Sequence, residues 1–115
     1  MGDLNTQQMG VYTVVEFLPA ILTEPPQLQA IGEELYGLIE KNGQRHLILN
    51  FEKVKFISSQ FISILLEVKA RLLKVPESTL VLCCVGRELQ NVLKITQLDR
   101  VFNITDTQQK AMRYL

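Results

Sequence analysis

The stretch Leu47-Ile48-Leu49-Asn50-Phe51-Glu52-Lys53-Val54-Lys55-Phe56-Ile57-Ser58-Ser59-Gln60-Phe61-Ile62 decides how this chain folds. Leu47 to Leu49 is a compact apolar run and reads as a buried strand. Ser58 and Ser59 stand just before a helical pattern that runs to about Lys74. Phe61, Leu65, Val68 and Leu72 form one apolar line along it, and Ile62, Leu66 and Leu73 widen that line. Gln60, Ser63, Glu67, Arg71 and Lys74 fall on the opposite side, the pattern of a surface helix with one buried face. Glu67 and Arg71 are four apart in the favourable order, worth roughly 0.3 kcal/mol. Pro76 ends the helix. Thr79 to Val85 is the most apolar strand candidate and is expected in the middle of a sheet. A helix long enough for a crossover separates it from Leu47–Leu49, so the two strands are expected parallel, adjacent or nearly so, and buried.

Upstream, residues 1–9 read as a loose polar lead-in. Val11 to Phe17 is rich in β-branched and aromatic residues and reads as a strand, with Leu18 to Leu22 as a second short extended piece. Pro25 and Pro26 suit a helix start, with Thr23 or Glu24 near the cap. Leu28, Ile31, Leu35, Leu38 and Ile39 recur at helical spacing, and Glu33, Glu34 and Glu40 lie off that stripe. Asn42-Gly43 stops the helix. Downstream, Gly86 turns the chain, and Leu89, Val92, Leu93 and Leu98 mark a third helix. Val101 to Ile104 reads as a short final strand. Thr105, Asp106 or Thr107 can cap a last helix carrying Ala111, Met112 and Leu115. Strands alternating with helices predict an α/β fold with a mostly parallel sheet.

The 115 residues, 47% hydrophobic and 21% charged, make one ordinary globular domain. The apolar content argues against disorder. The longest purely apolar run is Leu80 to Val85, far short of the roughly 20 residues that span a bilayer. Met1 to Gly10 is polar, so a signal peptide is not expected. Residues 1–40 hold six acidic residues and no Lys or Arg, while residues 41–115 hold all 12 basic residues against six acidic ones. The total is zero, which removes the electrostatic signature of a nucleic-acid binder. The halves either build a polar molecule, acidic along the first helix, or interleave and cancel.

Most enzymatic motifs are absent: no P-loop, no GxGxxG and no GxSxG. A small α/β enzyme would need a nucleophile–base couple, and none is visible. His46 sits beside a predicted strand with no acidic neighbour in sequence and reads as structural. Cys83 and Cys84 are adjacent in a strand, where neighbours point to opposite faces. Without a CxxC pair or a histidine cluster they read as reduced, buried thiols, with neither zinc nor redox catalysis expected. Asn50, at the end of its strand, neither binds Mg²⁺ strongly nor accepts a phosphoryl group. Ser58-Ser59 stands out. One serine can cap the helix, its oxygen accepting from a free first-turn amide, for ~1 kcal/mol. The other then sits in the first turn near solvent, where the helix dipole tolerates an added phosphate. The plain alternative is a cap and nothing more.

The chain resembles the STAS domain family, whose small bacterial members are anti-sigma factor antagonists. Leu47-Ile48-Leu49-Asn50-Phe51, followed by Val54 and Phe56-Ile57-Ser58-Ser59, carries the resemblance. It is reinforced by Leu80–Val85-Gly86 and by Val92-Leu93-Lys94-Ile95-Thr96-Gln97-Leu98-Asp99-Arg100-Val101-Phe102-Asn103-Ile104, with Ala111 where members often carry alanine. It covers roughly residues 10–115. It implies a mixed, mostly parallel sheet of four or five strands with about four helices packed mainly on one side.

The resemblance also implies a cytoplasmic, non-catalytic partner switch, a monomer or weak homodimer, with no cofactor, metal, nucleic acid or membrane. Its partner is an anti-sigma factor with serine kinase activity, which itself holds the ATP. The family pattern runs aspartate, serine, a small residue, glycine, then an aliphatic residue. Aligned without gaps, Ser59 matches the phosphorylated serine, with Ser58 the alternative, and Ile62 matches the aliphatic. Ser58 replaces the aspartate, Gln60 the small residue and Phe61 the glycine; Asn50 replaces an aspartate common at the preceding strand end. Two carboxylates are thereby lost, and Phe61 is expected to add bulk where a kinase approaches. The docking surface expected is Ser58, Ser59, Gln60, Phe61, Ser63 and Glu67. The alternative is a STAS scaffold in a larger signalling assembly that no longer cycles through phosphorylation.

Overall fold

The computed structural model describes residues 2–114. Strand β1 (Leu4–Met9) and β2 (Tyr12–Phe17) form an antiparallel hairpin. The two-residue turn between them places Gly10 at φ +64°, a sign of φ that tight hairpin turns require of their first residue. Then follow β3 (Ile21–Leu22), α1 (Pro25–Glu40), β4 (His46–Asn50), β5 (Phe56–Ile57), α2 (Ser59–Leu73), β6 (Thr79–Cys83), α3 (Arg87–Ile95), a 3₁₀ turn (Leu98–Arg100), β7 (Asn103–Thr105) and α4 (Gln108–Ala111). The main sheet has the order β1-β2-β4-β6-β7, and only the β1–β2 pair is antiparallel. As expected, β4 and β6 are neighbours, parallel, with Leu47 opposite Leu80 and Leu49 opposite Leu82.

Strand alternation divides the core. Val15, Phe17, Leu47, Leu49, Leu80 and Leu82 face one side, where they meet Leu28, Ile31 and Leu35 of α1, Phe61, Leu65 and Val68 of α2, and Leu89 and Leu93 of α3. Val14, Ile48, Val81 and Cys83 face the other side, covered by Ala111 of α4. Three helices therefore pack on one face and one short helix on the other.

Several local expectations are corrected. Residues 4–9 are not a loose lead-in but an edge strand; Asn5 to Gln8 are exposed, so no apolar alternation announces it. The turn after β6 falls on Cys84, at φ +60°, and Gly86, extended at φ −69°, instead stands at the N-cap of α3. Leu98 lies in the 3₁₀ turn rather than in α3, and the last strand starts at Asn103 rather than Val101. On α2, Leu73 is 72% exposed and Leu66 is exposed too, whereas Ile64 is buried. The buried face of that helix is thus narrower and rotated toward α1. Thr107 caps α4 by accepting from Lys110 N at 3.2 Å. Leu115, read as part of this helix, lies outside the described residues. His46 is structural in its contacts: Nδ1 lies 3.0 Å from Thr79 Oγ1, and the ring meets Tyr12 edge-on.

The acidic and basic halves interleave at two points. Glu16 pairs with Lys53 at 3.7 Å, and Glu40 with Arg71 at 2.8 Å. Arg71 also holds Glu67 at 2.9 Å and stacks over Tyr36, tying α1 to α2. Glu33 and Glu34 remain exposed along α1.

Candidate functional site at the start of helix α2

The two-stranded ribbon β3–β5 delivers the chain to α2. Ala20 O accepts from Lys55 N at 2.7 Å and from Phe56 N at 3.1 Å, and Leu22 O accepts from Ser58 N at 3.1 Å. Ile21 pairs in register with Phe56 and Leu22 with Ile57. Alternation sends Leu22 into the core and leaves both Ile21 and Phe56 54% exposed. An apolar pair therefore stands on the surface beside the helix start. The sequence offered one signal for it, the extended Phe56-Ile57 step of two apolar residues, only one of which can face inward.

Ser58 is the cap. Its Oγ accepts from Phe61 N at 3.3 Å, and its carbonyl accepts from Ile62 N at 3.2 Å. Ser59 is the first helical residue, with its side chain exposed. The two serines thus divide as the capping logic requires: one hydroxyl is engaged and the other faces solvent beside the positive end of the helix dipole. Ser63 lies one turn on, its Oγ donating to Ser59 O at 3.2 Å. Glu67, a further turn on, is exposed although paired with Arg71. Ser59, Ser63 and Glu67 therefore form one exposed line at four-residue spacing. Gln60 leans toward α1, bordering a shallow groove with Gly32, Glu33 and Tyr36.

Phe61 does not belong to this surface. Its side chain is 0% exposed and packs edge-on against Phe17, with centroids 5.4 Å apart, and against Phe51 at 6.2 Å. The expected bulk beside the serine is absent because the ring turns into the core. Asn50 is also occupied structurally. Its Nδ2 donates to Gln108 Oε1 and its Oδ1 accepts from Glu52 N, both at 2.9 Å.

Among the described residues no group of three or more His, Cys, Asp or Glu is placed to hold a metal ion. Among the same residues no helix is long and apolar enough to cross a membrane. What remains at the site is an exposed hydroxyl at a helix N-terminus, flanked by an apolar pair and a polar helix face: a surface suited to a protein partner.

Known proteins share this fold. A domain protein described as an anti-sigma-factor antagonist (STAS) from Planctomyces limnophilus is similar at TM-score 0.83 and 25% identity, covering 97% of this chain and 96% of that one. An anti-sigma factor antagonist from Mycobacterium paratuberculosis is similar at TM-score 0.83 and 16% identity, over 95% of this chain and 89% of that one. The Bacillus cell fate determinant SpoIIAA in its phosphorylated form is similar at TM-score 0.72 and 16% identity, over 95% and 96%. The family model for the STAS domain matches residues 27–111, most of the chain and all three helices of the main layer. The chain belongs to the STAS domain family.

Proposed function

We propose that this chain is a cytoplasmic, non-catalytic anti-sigma factor antagonist that works by partner switching. It docks on a serine-kinase-type anti-sigma factor through Ser58, Ser59, Gln60, Ser63 and Glu67, with Ile21 and Phe56 as the apolar part of the contact. Ser59 is the residue modified. Its hydroxyl oxygen attacks the γ-phosphoryl of ATP held by the partner, the hydroxyl proton passes to a base of the partner or to water, the new O–P bond forms as the bond between the γ-phosphorus and the β–γ bridging oxygen breaks, and ADP departs. The observation that carries this reading is the division of labour at the helix start, with Ser58 Oγ engaged by Phe61 N and Ser59 exposed. A phosphate at Ser59 meets the dipole's positive end, so the fold tolerates it. It weakens docking, because a dianion at the centre of a tight interface has to be desolvated without a dedicated basic partner. In support, the fold is shared with a SpoIIAA that exists in a phosphorylated form.

One observation favours a second reading, a scaffold that does not cycle: the family's carboxylates are replaced by Ser58 and Asn50, so no negative charge stands at either position. Incubation with a kinase-type anti-sigma factor and ATP, followed by mass spectrometry, separates the two. The switch predicts one phosphate on Ser59, none in Ser59→Ala, retained binding by Ser59→Ala, and weak binding by a folded Ser59→Asp. Modification of Ser58 or Ser63 with Ser59 bare refutes the assignment of Ser59. Tight binding with no modification establishes the scaffold.

A further inference from the structure

The two edges of the main sheet differ in how they are protected. At one edge β7 offers only Asn103–Thr105, too short to template much pairing. At the other, β1 runs for six residues, Leu4–Met9. Its register with β2 is unbroken from Leu4–Phe17 to Met9–Tyr12, so no bulge turns the edge away. It carries no lysine, no proline and no charge, the devices that ordinarily keep sheet edges from pairing.

One bond just beyond the strand fixes the direction of its backbone groups. Leu18 N donates to Asp3 O at 2.9 Å, so the Asp3 carbonyl points toward β2. That direction alternates along an antiparallel pair. Asn5, Gln7 and Met9 therefore bond to β2, and Leu4, Thr6 and Gln8 turn N–H and C=O outward. Among the described residues no backbone bond outside the β1–β2 ladder engages Leu4, Thr6 or Gln8. Side chains alternate as well. Leu4 joins the core beneath α1, α2 and α3, and Met9 packs on the opposite cluster, so Thr6 and Gln8 share the face of Leu4.

A second copy of the same strand satisfies all of these constraints. Two copies related by a two-fold axis perpendicular to the sheet pair antiparallel and keep their faces. With the axis at Thr6, Thr6 opposes its own copy, Leu4 opposes the copy's Gln8, and Asn5 opposes the copy's Gln7. Every outward residue then meets an outward residue, and each such pair exchanges two backbone bonds. Moving the axis by one residue brings Gly2 or Gly10, outside the strand, into the ladder. Threonine faces threonine and amide faces amide, with no like charges opposed. We propose that the β1 edge is a homodimer surface, joining two five-stranded sheets into one through Leu4, Thr6 and Gln8. No residue of the Ser59 surface lies on this strand, so pairing and switching are separable. A ladder this short covers well under the ~800 Å² per partner of a standard interface, so association is weak, with a Kd on the order of 100 μM.

Sedimentation equilibrium of the whole chain is the test. Wild type is expected to be mostly monomer at about 10 μM and mostly dimer at about 1 mM. Thr6→Pro removes one outward N–H, which an edge strand tolerates, and weakens dimerisation at least ~tenfold while circular dichroism stays unchanged. Thr6→Lys and Thr6→Glu each place like charges opposite one another and are monomeric; an equimolar mixture of the two restores the dimer. Hydrogen exchange at Thr6 and Gln8 slows with protein concentration, and exchange at Asn5 and Gln7 does not. A wild-type chain still monomeric at about 1 mM overturns the proposal, as does a dimer that folded Thr6→Pro leaves intact. A mixture of the Lys and Glu variants that stays monomeric overturns the register centred on Thr6.

Discussion

Phe61→Ala tests the reading of α2 most severely, because the resemblance placed a glycine at this position. The ring is fully buried and closes a triad with Phe17 and Phe51, themselves 5.0 Å apart. A phenylalanine side chain buries on the order of 150–200 Å². At about 25 cal/mol per Å² its burial contributes roughly 4–5 kcal/mol. Truncation to alanine keeps the helix propensity and Ser58's bond to the backbone amide, so the loss isolates packing: ~3–5 kcal/mol. Against a total stability of about 5–15 kcal/mol for a domain, that leaves a marginal fold. Phe61→Leu, which retains most of the volume, is expected to lose only ~1 kcal/mol. A double-mutant cycle with Phe17→Ala should return a coupling of about 0.5–1.5 kcal/mol for the edge-on pair. Urea unfolding followed by far-UV circular dichroism measures all of these. If Phe61→Ala loses less than ~1 kcal/mol with an unchanged m-value, the ring is not in the core and the site's geometry as described is wrong.

Ser58→Ala removes the cap and is expected to cost ~1 kcal/mol, whereas Ser59→Ala changes stability by less than ~0.3 kcal/mol; equal losses in urea would mean that the hydroxyl roles are shared. Leu65→Ala, fully buried mid-helix, should cost ~2–5 kcal/mol, and Leu73→Ala, on the exposed side, less than ~0.5 kcal/mol. A reversal of that order in thermal unfolding would put the helix on the wrong face. The Cys83 thiol is pushed up to about 12, chiefly by burial and then by its neighbour Cys84. The unfolded thiol ionises first, near 9, so the folded chain then holds a proton that the unfolded chain has released. Stability from this group is complete below pH 9 and falls, by up to about 1.4 kcal/mol per pH unit, as pH climbs toward 12. Cys83→Val should flatten that slope relative to wild type, and identical slopes across pH 8–11 would contradict it.

The central architecture is legible because its signals are redundant. Leu47–Leu49 and Leu80–Leu82 are apolar on both faces, since helices cover both sides of the sheet there. The intervening helix carries its cap, its apolar line and its Glu67–Arg71 pair in plain view. Strand β1 is not legible for the opposite reason. As a sheet edge it is solvated, and Asn5, Thr6, Gln7 and Gln8 give no apolar alternation and, Thr6 apart, no β propensity. Helix faces are legible only to within a residue: Leu66 and Leu73 satisfy helical spacing as well as Ile64 does, and only the position of α1 decides among them. At Cys84 no local rule foretells a positive φ, so the faces of the two thiols could not be read from alternation. At the site, the serine roles follow from capping chemistry, but Ile21 beside Phe56 depends on a pairing between segments 35 residues apart, which no local pattern carries.

The departures from the family pattern at the serine now separate into two kinds. Phe61 is accommodated by pointing inward, and Ser58 caps as an aspartate would, through an oxygen accepting the amide of Phe61. Neither change crowds Ser59, whose side chain stays open to solvent. The objection of bulk therefore falls away, and what remains is charge. Without a carboxylate at position 58, the first turn of α2 is neutral, with no acidic residue in it. A neutral turn repels an incoming nucleotide's phosphates less, yet offers no acidic residue to help take the serine proton. Asn50 reinforces the distinction, because its amide donates to Gln108, a bond that an aspartate in its ionised form cannot make. The asparagine thus pins α4 to the end of β4 as a structural clamp. Under the proposed switch, the substitutions act on the rate of modification at Ser59 rather than on access to it.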